Sequence, residues 1–399
     1  MRIINRVPFF LILVLSCSSC DLFDNNSGVP INENIWVNAY LASWNHDPET
    51  ENYTGKGNIK TDDIDWDAMT HMTYFSLNIA EDGTPSQSLD PDVVLGNFNS
   101  ERLNNIVPAA HAHNTKIIFS VGGGGNYEGF SSSIREENRN VFIQTLVNIL
   151  VDYGFDGVNL NMTPIDSTDY GNYRAFVTQL HDTLSSITTR QNERPLITVA
   201  ALKNQNLAEL YSGLQQYLDQ INILTFDMAQ PWRGWQVWHN SALYNKNKVF
   251  ENNAYFKFPS INDKVDQFID TGIERMKIGI TINFHASVWE GVNLYGTWPS
   301  WPTQNMSIYD NLSYTELVDK YDISDPSWDK NAKVPYMNLN DPNTFVSFEN
   351  DASIKKKIKY AQKKRIGGVM IWELGSAFFP EKDPKDPLLK MVKKHAFID

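Results

Sequence analysis

In the segment FDGVNLNMTP (155–164), Asn159, Asn161 and Thr163 recur at every second position, and on an extended strand such residues project from one face. Two amides and a hydroxyl at a strand end can hydrogen-bond a polar ligand. None of them ionises near neutral pH, so none can act as a general acid or base. The chemistry this spacing offers is recognition. Aromatic residues stand near the ends of other apolar runs: Tyr40 and Trp44 in 35–44, Tyr74 in 71–80, Phe226 beside Asp227 in 221–228, and Trp372 in 367–375. Flat rings cover the apolar faces of pyranoses while amides and carboxylates bond the hydroxyls, so this set fits a sugar. No metal or other cofactor is predicted. His111 and His113, two apart near a helix end, share no face and read as solvated, and no third ligand is in sight. The run GGGG (122–125) has no following Lys-Ser or Lys-Thr and is no phosphate loop.

The elements that must position these residues follow from hydrophobic patterning. Eight apolar or β-branched runs read as strands, at 35–44, 71–80, 116–123, 155–162, 196–202, 221–228, 277–284 and 367–375. Helical patterns lie between them, as in 140–154, where Phe142, Leu146 and Ile149 recur at helical spacing. This alternation predicts an α/β fold, a (β/α)8 TIM barrel whose ligand site lies at the C-terminal ends of the strands. Residues 285–352, rich in Trp, Tyr, Pro and Asn, read as an insertion between strands seven and eight that walls the top of the barrel. Trp232, Trp235 and Trp238 fit either a buried helical stripe or a loop beside the cleft; the second, with one or two rings exposed, is expected. The tryptophans of YGTWPSWP (295–302) fit an exposed wall or a folded-in core equally. The Asn/Asn/Thr run could by itself simply cap a barrel. Lys355, Lys356, Lys357, Lys363, Lys364 and Arg365 read as the solvated face of an outer helix.

Several ordered landmarks resemble glycoside hydrolase family 18, the chitinases and endo-β-N-acetylglucosaminidases. KIIFSVGGGG (116–125) is similar to the family's third-strand SxGG motif, with Ser120, Gly122 and Gly123 in place. INILTFDM followed by HNSALY (239–244) resembles its sixth strand and following loop, and 334–375 its last helix and eighth strand. The resemblance implies that Trp372 floors the subsite for the reacting N-acetyl sugar. It also implies a fourth strand DGxDxDxE, whereas this chain has DGVNLNMT (156–163): Asn159, Asn161 and Thr163 stand where two aspartates and the catalytic glutamate belong. In that family the glutamate protonates the glycosidic oxygen and the substrate's own acetamido oxygen is the nucleophile. Phe226 stands where a tyrosine usually bonds the acetamido group, while Asp227 is retained. The catalytic set is therefore expected to be empty. The binding set comprises Tyr40, Trp44, Tyr74, Asn159, Asn161 and Thr163, with Phe226, Asp227, Trp232, Trp235 and Trp372.

The 399 residues carry a formal net charge of −13, which disfavours nucleic acid or an anionic membrane surface as partner. Both cysteines fall in the first 20 residues, behind Arg2, Arg6 and the short apolar run VPFFLILVL (7–15), the pattern of a secretory signal. VLSC (14–17) resembles a bacterial lipobox, so 1–20 is expected to be a lipoprotein signal. Cys17, or alternatively Cys20, would carry the lipid. Residues 21–34 would be a polar tether, and 35–399 the barrel. The expected location is the bacterial outer membrane or cell surface, with an oligosaccharide or glycoprotein glycan as partner and other glycan-uptake proteins nearby. Three functions remain open from sequence: a non-catalytic binder of N-acetylglucosamine-containing oligosaccharides; a hydrolase with an acid relocated to Asp166, Asp169, Asp227 or Glu373; or a protein-interaction module with a vestigial cleft.

Overall fold

A computed structural model describes residues 32, 34–46, 58–86, 98–251, 253–298, 308–340 and 343–398. The proposed signal peptide, Cys17, Cys20 and nearly all of the tether lie outside the described residues. The strands in chain order begin with β1 (Trp36–Ala42), β2 (His71–Leu77), β3 (Lys116–Gly122) and β4 (Gly157–Asn161). They continue with β5 (Leu196–Ala201), β6 (Gln220–Ile223), the hairpin β7 (Val249–Phe250) and β8 (Asn253–Lys257), and β9 (Ile278–Asn283). Then come β10 (His285–Glu290), β11 (Ile308–Ser313), β12 (Ser327–Asp329), β13 (Val334–Asn340), β14 (Asn343–Ser347) and β15 (Gly368–Leu374). The helices are α1 (Ser100–Ala112), α2 (Tyr127–Ser133), α3 (Glu136–Tyr153), α4 (Tyr170–Leu184), α5 (Gln205–Leu214), α6 (Ile261–Asp270), α7 (Tyr314–Lys320), α8 (Asp351–Lys364) and α9 (Pro387–Lys393).

Eight strands close into a parallel barrel in the order β1-β15-β9-β6-β5-β4-β3-β2, the (β/α)8 architecture that the alternating pattern predicts. All eight expected strands are present. Period two divides each strand between two environments. Outward positions such as Val37, Ile117, Val158, Ile221 and Val369 are aliphatic and join one large buried cluster with the helices. Inward positions are largely polar and mutually bonded. Asn38 Nδ2 donates to Gln220 Oε1 (3.0 Å), and Thr73 Oγ1 donates to Asn38 Oδ1 (2.8 Å). Such pairing offsets the desolvation of buried polar groups.

Residues 285–347 hold a five-stranded antiparallel sheet, β11-β10-β14-β13-β12. Its own apolar cluster includes Ala286, Val288, Leu317 and Val346. Trp298 is buried against Trp289 (5.2 Å), which settles one ring of YGTWPSWP as core; Trp301 lies outside the described residues.

Two surface expectations are corrected. Lys357 is fully buried and pairs with Glu349, also bonding Ser241 Oγ at 2.8 Å. On the same helix Ile354, Ile358 and Ala361 are buried, so position 357 belongs to the packed face. His111 is not solvated either: its Nε2 lies 3.0 Å from Asp156 Oδ2, which also accepts from Ile117 N.

Candidate functional site

The tip of β4 has three levels. Asn159 is fully buried: its Oδ1 accepts from Ser120 Oγ (2.9 Å) and its Nδ2 donates to Thr198 Oγ1 (2.9 Å). It bridges β3 and β5, with both ends of its amide bonded within the barrel. Two residues on, Asn161 is nearly buried and accepts from Thr163 Oγ1 (3.1 Å), and Thr163 is half-buried. The tip thus ends in an amide–hydroxyl pair. Gly122 and Gly123 make room beside it. Gly122 has φ +89°, and a Cβ there would lie 2.6 Å from Asn161 O; Gly123 has φ +122°, and a Cβ would lie 2.6 Å from Phe75 Cζ. Only glycine suits both demands.

Across the barrel mouth stands an aromatic group. Trp372, half-buried at the end of β15, meets Phe75 edge-on (5.4 Å) and Tyr40 at 61° (5.9 Å). Phe226 lies parallel to Trp372 at 6.1 Å. Trp44 is 45% exposed and meets Phe75 edge-on at 5.6 Å. These rings form one connected surface with both buried anchors and accessible faces. Tyr40, at 0% exposure, is an anchor, and burial pushes its phenol well above its ordinary range. Tyr74 is not part of this surface. It points outward, packs on Phe98 (5.7 Å) and bonds His46 Nδ1 (3.1 Å). The residue that faces inward is its neighbour Phe75, because adjacent strand positions face opposite ways.

The carboxylates are each tied down. Asp227, with φ +48°, accepts from Asn240 Nδ2 (2.9 Å). Its carboxyl is raised above its ordinary value by burial, partly offset by Asn240 and the nearby Lys203 cation. Asn240 also donates to Ser287 Oγ (2.6 Å), and Asn283 Nδ2 donates to Asn240 Oδ1 (3.1 Å). Asp227 therefore belongs to a network joining the segment after β6 to β9 and β10. Glu373, beside Trp372, is nearly buried and pushed up to about 8 by desolvation. Its Oε1 accepts from Asn45 Nδ2 at 3.2 Å. Asp169 accepts from Tyr127 and Ser131, and Asp166 caps the turn at Thr168, so neither bonds the tip of β4.

The structure brings Asn161, Thr163, Trp44, Phe226, Asp227 and Trp372 to strand ends at one end of the barrel, while Tyr40, Asn159 and Tyr74 are fully buried. Residues 230–240 form no helix, and Trp232 (44% exposed) and Trp235 (37%) lie accessible on the loop after β6. Trp238 is core, donating to Pro259 O. Sequence reasoning missed Phe75, Asn240 and Asn283. The parity of Thr73 with Phe75 was a usable signal for the first; the other two announce themselves only through tertiary contacts.

A sequence profile described as Glycosyl hydrolases family 18 matches residues 37–377. Chitinase B of Serratia marcescens is 26% identical over 374 residues, covering 77% of this chain and 73% of that protein. Among solved structures, the Group IV chitinase of Ostrinia furnacalis superposes with a TM-score of 0.73 at 23% identity, covering 91% of this chain and all of that one. Human YKL-39, described as a pseudo-chitinase with retained chitooligosaccharide binding properties, gives 0.72 at 19% identity, covering 91% and 99%.

Proposed function

The chain belongs to glycosyl hydrolases family 18, and on that premise we propose that it binds oligosaccharides containing N-acetylglucosamine without cleaving them. The observation that carries the reading is Thr163. By the resemblance of DGVNLNMT to the family's fourth strand it stands where the general acid is expected, and its hydroxyl donates to Asn161 Oδ1. General acid–base catalysis is typically worth ~100- to 10,000-fold, and a threonine cannot supply it. Asn161 keeps the shape of an aspartate and can bond an acetamide, but it brings no charge to stabilise a cationic intermediate. Phe226 brings no hydroxyl. The aromatic surface around Trp372 persists, so the stacking half of recognition outlives the proton chemistry. YKL-39 offers a precedent for that combination.

Isothermal titration with chitotetraose tests the reading. Saturable binding by the wild type, weakened at least roughly 30-fold (about 2 kcal/mol) by Trp372→Ala at unchanged secondary structure, is expected. No binding across chitooligosaccharides and N-glycan cores would end it. One rival keeps a specific support: Asp227 and Glu373 are both raised, as an acid catalyst requires. Release of a chromogenic aglycone that is lost in Asp227→Asn or Glu373→Gln would favour that rival.

Lipid attachment at Cys17, or at Cys20, would hold the barrel at the outer membrane or cell surface, suited to capturing glycan for neighbouring uptake proteins. Incorporation of labelled palmitate, abolished by Cys17→Ser or by Cys20→Ser, identifies the acylated residue. No incorporation in either case removes the anchor from the reading.

A further inference from the structure

The most exposed ring of the cleft surface, Trp44, sits on the short turn that leaves β1. Among the described residues its ring meets the edge of Phe75. The turn is held in part by Arg102, which donates to Ser43 O and His46 O, and by Ile59 N, which donates to Asn45 O (2.8 Å); a further contact reaches towards Trp372. Asn45, the residue after Trp44, reaches across to the end of β15, its Nδ2 lying 3.2 Å from Glu373 Oε1 and 3.3 Å from Leu374 O. Glu373 directly follows Trp372, so these two contacts tie the segment carrying Trp44 to the segment carrying Trp372.

Glu373 is an odd residue to find there. It is 4% exposed and its Oε2 is buried without a hydrogen-bond partner. The groups facing it among the described residues are few. From β10, His285 Nε2 lies 3.8 Å from Oε1 and 2.9 Å from Ser376 Oγ; behind it on α7 stands Glu316, whose charge acts on His285. Burial holds His285 down at about 4 and Glu373 up at about 8. Near neutral pH both are therefore uncharged, and glutamine is the close isostere of the acid present. A buried acid with one oxygen unpaired costs stability.

We propose that Glu373 is the positioning residue for Trp44: through Asn45 it clamps the turn after β1 to the tip of β15, setting the two tryptophan rings at a fixed separation for successive sugar units. This deepens the glycan-binding reading and rests on it for the ligand, while the clamp itself is testable without one.

The test uses the full chain labelled with 5-fluorotryptophan, the fluorine resonance of Trp44 being assigned by its disappearance in Trp44→Phe. Glu373→Gln should leave that resonance in place and chitotetraose affinity within about twofold. Glu373→Ala should shift or broaden it and weaken affinity roughly tenfold, and Asn45→Ala should reproduce both effects. Should Glu373→Ala fail to fold, Asn45→Ala decides. An unmoved Trp44 resonance in folded Asn45→Ala, or loss of affinity in Glu373→Gln equal to that of alanine, overturns the clamp. If the wild type binds no chitotetraose but the resonance moves as described, the clamp stands and the glycan assignment falls.

Discussion

Replacing Asn159 by aspartate places a carboxyl group in the barrel interior, and the structure sets the size of the cost. Position 159 is 0% exposed and its hydrogen-bond partners, Ser120 and Thr198, are neutral hydroxyls. An aspartate ordinarily titrates near 3.9, and full burial without a cation raises such a group by up to roughly 3–5 pH units. The folded variant then keeps its proton to neutrality while the unfolded chain loses it. Stability relative to wild type is intact below about pH 4 and falls by about 1.4 kcal/mol per pH unit above it, reaching roughly 4 kcal/mol near pH 7. Urea unfolding of both proteins, followed by tryptophan fluorescence at about pH 4 and about pH 7, measures the difference directly. Equal stability of Asn159→Asp and wild type at both pH values would refute the reasoning, because it would mean that the barrel interior still solvates a carboxylate.

Thr163→Glu alone should not restore cleavage of a chromogenic chitotrioside, since Asn161 remains uncharged and Phe226 still lacks a hydroxyl; turnover by this single variant would contradict that. Gly123→Ala should cost roughly 1–3 kcal/mol and displace Phe75, because its Cβ would fall 2.6 Å from Cζ at φ +122°; thermal unfolding and a crystal structure of the variant check both effects. Lys357→Met should lose about 3–5 kcal/mol by leaving Glu349 buried without its cation, and Lys357→Met/Glu349→Leu should recover most of it in the same unfolding assay. An undiminished single variant would show that Glu349 finds another partner.

The barrel was legible because its evidence is local. Each strand is an apolar or β-branched run, and the helical spacing of Phe142, Leu146 and Ile149 is buried as the pattern requires. That Asn159, Asn161 and Thr163 do not ionise near neutral pH was equally plain, since it lies in residue types rather than in geometry. What stayed hidden depends on direction and distance. Tyr74 and Phe75 are adjacent aromatics, and nothing in their types says which one faces the barrel axis. Lys357 looks like its charged neighbours until Glu349 is brought against it from the end of β14. Asn240 reads as an ordinary loop amide, yet it bonds Asp227, Asn283 and Ser287 at once. Glu373 was visible as a carboxylate but not as a clamp, because Asn45 lies 328 residues away in sequence.

The central claim is that this barrel holds its glycan and leaves it whole. Chitohexaose titrated calorimetrically into the full chain, with the cell contents then resolved by mass spectrometry after prolonged incubation, tests both halves on one sample. The account predicts saturable heat of binding and recovery of intact hexaose. Accumulation of shorter oligosaccharides, or the absence of any binding heat, would contradict it.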